Sequence, residues 1–113
     1  MSVKTIEMSE VVQEMMNVKT RMDGSIKEAY KQAKVKDAAE REYRKQLAKE
    51  ILKLKSEGYQ ATLIGDIARG NCADLKFERD IAKTLYDCAK DSKDVLKAEA
   101  SMLQTIAKFQ TDL

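Results

Sequence analysis

Apolar residues recur every three or four positions along most of the chain, the period of a helix with one buried face. The first run is Met8, Val11, Val12, Met15, Met16 and Met22. The second joins Ile26, Ala29, Tyr30, Ala33, Ala39, Tyr43, Leu47, Ile51 and Leu54. The third joins Leu75, Ile81, Ala82, Leu85, Cys88, Ala89, Val95, Leu96, Met102, Leu103, Ile106 and Phe109. These runs predict helices over 5–22, 26–57 and 72–110, with a connector over 58–71. Between the first two, Asp23-Gly24-Ser25 predicts a break or kink. Glycine inside a helix costs about 1 kcal/mol relative to alanine, and Ser25 with Glu28 three residues on has the capping-box form. A helix that continues through Gly24 is the alternative. In the third run Lys90 to Asp94 is wholly polar, and the stripe narrows there to Ser92.

The connector holds three of the four glycines, Gly58, Gly65 and Gly70. Gly58 follows a long helical pattern at the place where a left-handed residue ends a helix. Thr62 is expected to cap a short turn, Leu63 to Arg69, which Gly70 then ends. Asn71 is expected to cap the last helix, with Asp74 near its positive end. Leu63, Ile64 and Ile67 are expected to bury together. The predicted fold is a single all-α domain. It is a long antiparallel helical hairpin with this short helical connector and an N-terminal third helix or oligomerisation arm.

Composition sharpens the fold more than the chemistry. The chain of 113 residues has no proline, two phenylalanines and no tryptophan, so its core is built from Leu, Ile, Val, Met and Ala. Strong helix formers dominate, and no proline interrupts them. Net charge is +2, from 21 basic and 19 acidic residues. A dedicated nucleic-acid binder is usually more lopsided. Cys72 and Cys88 have neither a metal spacing nor a redox spacing. No secretory leader or membrane span is read, so a cytoplasmic location is expected. Histidine is absent, and with it the usual proton shuttle near neutral pH. No phosphate-loop, dinucleotide or nucleophile-elbow pattern occurs. Catalysis is the least supported class; no catalytic residue, metal ligand or cofactor is assigned.

Four features compete for a functional role. The first is helix-turn-helix order in TLIGDIARGNCADLKFERD, but the second helix leads with Ala73, Asp74 and Leu75, and a carboxylate there faces phosphate badly. A structural connector is the plainer reading. The second is a basic stripe, Lys27, Lys31, Lys34, Arg41, Lys45, Lys49 and Lys53, within a segment 23–57 of ten basic and seven acidic residues. It reads either as a track for a phosphate backbone or as a solvated face whose lysines pair with Glu40, Glu42 and Glu50. The third is the cluster Met8, Val12, Met15, Met16 and Met22, either ordinary core or a homo-oligomer seam. The fourth is the connector set Tyr59, Thr62, Asp66 and Arg69. Asp66 and Arg69 either pin the turn or belong to a protein-binding tip, since loops on rigid scaffolds often carry binding.

The segments REYRKQLAKEILKLKSEGYQATLIGDIARG and ADLKFERDIAKTLYDCAKD extend the reading. About two thirds of the chain resembles a group of small helical proteins encoded by phages and prophages of Gram-positive bacteria. The core of the likeness is the tract Leu54-Lys55, Gly58-Tyr59, Thr62-Leu63-Ile64, Asp66, Ala68-Arg69-Gly70. The resemblance implies a bacterial host cell and a setting among phage replication and recombination functions; it transfers no catalytic residue. The expectation is a non-enzymatic accessory protein that acts by protein contacts, as inhibitor or adaptor, on recombination or replication machinery or a host defence enzyme. A nucleic-acid-binding module using the basic stripe is the alternative.

Overall fold

A computed structural model of the chain describes residues 7–112. It is all-α: α1 (Met8–Ser56), α2 (Ala61–Asn71) and α3 (Ala73–Asp112), with no strand among the described residues. The expected start of the first helix, at residues 5 and 6, lies outside them.

The break expected at Gly24 does not occur. α1 runs unbroken through it, so there is no separate N-terminal helix among the described residues. A penalty of about 1 kcal/mol for one glycine is too small to stop a helix whose neighbours bury on both sides. Val18 and Ala29 are buried and Met22 is half-buried. Ser25 caps nothing: its hydroxyl is buried with no hydrogen-bond partner in the protein.

α1 does end as expected. Gly58 has φ of +83°, in the left-handed region. Its N–H donates to the Lys55 carbonyl at 3.2 Å, and the Tyr59 N–H donates to the Leu54 carbonyl at 3.3 Å. That crossed pair is the Schellman motif, which satisfies two of the orphan carbonyls at a helix end.

The connector is more helical than the glycines suggest. α2 starts at Ala61 after Gln60, which makes no side-chain cap, so Thr62 is not the cap. Gly70 lies inside α2 rather than ending it. α2 passes into α3 at Cys72, whose N–H donates to Ala68 and whose carbonyl accepts the first bond of α3, from Lys76. Asn71 therefore does not cap α3; its side chain donates instead to Glu50 at 3.1 Å.

The contacts divide the chain into two compact units. One joins the α1 residues up to Tyr30 to α3 from Cys88; the other spans Lys31–Asp87. In the first, the buried and half-buried positions of α1 are Met8, Val11, Met15, Val18, Met22, Ser25 and Ala29. Those of α3 include Ala89, Lys93, Leu96, Ala100, Leu103, Ala107 and Gln110. Both sets advance by alternating threes and fours, a heptad seam. Lys93 rather than Ser92 bridges the polar gap, because a lysine stem covers apolar surface while its ammonium reaches water. In the second unit, Leu54, Ile64 and Ala68 form a buried cluster flanked by Leu47, Ile51 and Ile67. Ile64 and Ile67 face this core as expected, while Leu63 stays 48% exposed.

Candidate functional site

Three of the four connector residues share one face of α2. Thr62, Asp66 and Arg69 are spaced by four and three in α2, hence share a helix face, and all three are exposed. Tyr59 precedes that helix at 48% exposure, and Leu63 adds an apolar neighbour. The opposite face of α2 carries Ile64 and Ala68, which is fully buried. α2 is therefore fixed by its inner face and presents an outer one. Arg69 bonds Asp66 and also passes close to Gly65, where an added Cβ would meet its guanidinium at 3.4 Å. The exposed pair holds the arginine in place; as a stabilising contact, such a pair is worth well under about 1 kcal/mol.

All seven residues of the basic stripe are exposed on α1. Two of the three expected neutralising carboxylates, Glu40 and Glu50, are engaged elsewhere. Glu40 accepts from Arg44 at 2.7 Å and lies 3.5 Å from Arg79. The bond from Arg44 is the main cause that holds its carboxyl below the ordinary glutamate range. Glu50 accepts from Asn71. Among the described residues, no salt bridge involves Lys27, Lys31, Arg41, Lys45, Lys49 or Lys53.

The methionines separate. Met8, Met15 and Met22 are half-buried on the inner seam of the first unit, and Val12 and Met16 are exposed beside it. Met15 and Met22 line a cavity of about 240 Å³ together with Ala100 and Gln104.

One cluster in the second unit has no counterpart in the sequence reading. Arg79 lies over the ring of buried Tyr43, 4.5 Å from its centroid, and also bonds Asp80. Lys36 lies 5.4 Å from the Tyr86 centroid. Arg79, Lys36, Glu40, Asp80 and Lys83 line one open groove. Cations on a helical seam read as surface residues in sequence, and only the stacking on tyrosine distinguishes them.

No family model, curated protein or solved structure matches the chain. The chemistry of the described residues is correspondingly plain. No three His, Cys, Asp or Glu side chains are placed to hold a metal ion. Among the described residues, no helix is long and apolar enough to cross a membrane. Both cysteines are free; Cys72 is buried, and that burial raises its thiol pKa, with the charge of Glu50 adding to the effect.

Proposed function

We propose that the protein is a non-enzymatic interaction module of the phage-accessory kind, built as an antiparallel helical hairpin, whose α2 outer face binds a protein partner. The hairpin is supported by contacts within the second unit: Glu50 with Asn71, Tyr43 with Arg79 and Lys36 with Tyr86 descend α1 while ascending in number beyond it. The observation that carries the binding reading is the outer face of α2. Tyr59 and Leu63 remain half exposed beside a positioned Asp66–Arg69 pair, on a helix whose inner face is locked. Tyrosine and arginine are among the residues enriched in binding hot spots. The partner is a component of recombination or replication machinery or a host defence enzyme.

The test is retention of such host proteins by the immobilised chain. Leu63→Glu, and Asp66→Ala with Arg69→Ala, should lose the partner while circular dichroism stays helical. Lys45→Glu with Lys49→Glu should keep it. Equal retention by all of them rules the α2 face out.

The second reading, a nucleic-acid-binding module, is favoured by the six stripe cations that make no salt bridge among the described residues. Fluorescence anisotropy with single- and double-stranded DNA decides it. Binding that weakens log-linearly with salt, and that Lys45→Glu with Lys49→Glu removes, puts the stripe first. No binding in low salt eliminates it.

A further inference from the structure

Within the first unit α1 carries a second stripe beside the seam that packs on α3. It runs one residue after the inner positions, through Val12, Met16, Lys19, Asp23, Ile26 and Tyr30, in steps of four and three. Val12, Met16, Ile26 and Tyr30 are each at least 47% exposed, and Lys19 and Asp23 are exposed between them. Isolated exposed apolar residues are ordinary. Four of them on one heptad stripe mark a packing face. Among the described residues neither Lys19 nor Asp23 makes a salt bridge. The cavity of about 240 Å³ lies on the same stripe: Lys19, Asp23 and Ile26 line it from α1, and Ala100 and Gln104 from α3.

We propose that this stripe is an interface with a second copy of the chain, in which α1 packs antiparallel on α1 of the partner copy across a two-fold axis level with Arg21. Charge and polarity about that level select the occupant. Residues equally far before and after Arg21 face one another across the axis. Val12 and Tyr30 lie nine positions to either side, Met16 and Ile26 five, and Lys19 and Asp23 two. Apolar therefore meets apolar at both ends, and each lysine meets an aspartate in the middle. Sliding the pair by one heptad sets Met16 on Lys19 and Val12 on Asp23, or Lys19 on Tyr30 and Asp23 on Ile26. A parallel, in-register pair stacks Lys19 on Lys19 and Asp23 on Asp23. Glu14, Arg21 and Glu28 each fall midway between two stripe residues, hence on the opposite side of α1, where Arg21 bonds Glu14 and Glu99. Glu14 and Glu28, which the register aligns, therefore do not meet. The α1 wall of the cavity runs from Met15 to Ile26, about the axis, so the hollows of the two copies face and close one another. The paired charges fix the register more than they add affinity. The contact is isologous, so it closes at a dimer. It lies in a different unit from the α2 face and does not depend on it.

Sedimentation equilibrium and disulfide trapping of the full chain test the interface. The expected result is a dimer at micromolar concentration that Met16→Glu converts to monomer, with helicity retained. Lys19→Asp and Asp23→Lys should each weaken the dimer several-fold, and the two together should restore it, because exchanging the charges rebuilds both pairs. With Cys88→Ser in place, Met16→Cys combined with Ile26→Cys should cross-link two chains under mild oxidation. Met16→Cys alone should not, because its two copies lie ten positions apart along the pair, about 15 Å at the helical rise. A chain monomeric at every concentration overturns the proposal. So does a dimer that survives Met16→Glu, one that the combined charge exchange fails to restore, or one that Met16→Cys cross-links by itself.

Discussion

Single residues explain where this chain turns and where it does not. Gly58 is the one residue described with a left-handed backbone, and the two crossed hydrogen bonds at the end of α1 depend on it. A side chain there costs about 1–2 kcal/mol. Gly58→Ala should lower the thermal midpoint by that amount of stability, although nothing lies within 4 Å of the added methyl; an unchanged midpoint would show that the turn tolerates another geometry. Glu40 gives a pH signature. Its carboxyl is held below the ordinary glutamate range, first by the bond from Arg44 and further by the charges of Arg44, Arg79 and Lys36. A carboxylate with a depressed folded value stabilises the fold above its unfolded pKa, and that stability is lost as pH falls through the folded one. The stability gap between the wild type and Glu40→Gln should therefore be fully present at neutral pH. It should close in the acid range below the ordinary glutamate value, as followed by melting curves across pH. Because Glu40 is a surface group, the gap is small.

At the scale of elements, helix continuity was the main surprise. A glycine and a capping-box pattern at Gly24–Glu28 are local stop signals, and the seam overrides them. Val18, Met22 and Ala29 hold one helix face on both sides of the glycine. Gly24 has open space where a Cβ would go and an ordinary helical φ. Gly24→Ala should consequently stabilise the protein by up to about 1 kcal/mol, read as a higher melting temperature. A lower one would mean that the helix needs the glycine, as a real kink would. α2 makes the converse point. The expected short helical turn, Leu63 to Arg69, is instead an eleven-residue helix that also takes in Gly70. Its inner face, Ile64 and Ala68, buries against Leu54, and that burial outweighs the glycine penalty.

Across the whole molecule, the division into units governs where stability resides. The buried cluster lies in the second unit, where Leu54 is the large aliphatic residue that α1 contributes. Leu54→Ala should cost about 2–5 kcal/mol. Leu52→Ala, two positions away and 66% exposed, should change stability by less than about 0.5 kcal/mol. Denaturant melts of the two variants check the contrast, and equal losses would mean that the core is drawn wrongly.

Much of this architecture was legible in the sequence, and what was missed shares one physical origin. The helical character of the long segments, the Gly58 stop and the exposure of the basic residues follow from period, propensity and φ, all local. Tyr43, Leu54 and Ile64 were legible as core because apolar size and helical spacing agree there. The connector set was legible as a surface because 62, 66 and 69 share a face opposite the apolar one. The apolar stripe of the last helix, however, is wider than any one partner covers. The sequence names Ile81, Ala82, Leu85, Cys88 and Ala89 alike, and only packing puts Ala82 and Ala89 inward while Ile81, Leu85 and Cys88 stay exposed. Arg79, Lys36 and Lys93 occupy inner-seam positions that their charge disguises: Arg79 and Lys36 lay their cations over Tyr43 and Tyr86, and Lys93 is half-buried along its stem. The sequence alone thus determined an all-helical chain, its turn at Gly58 and the composition of each face. Tertiary structure decided which half of each apolar face is used, whether Gly24 breaks a helix and where the carboxylates of α1 turn, because each of these depends on a neighbour distant in the chain.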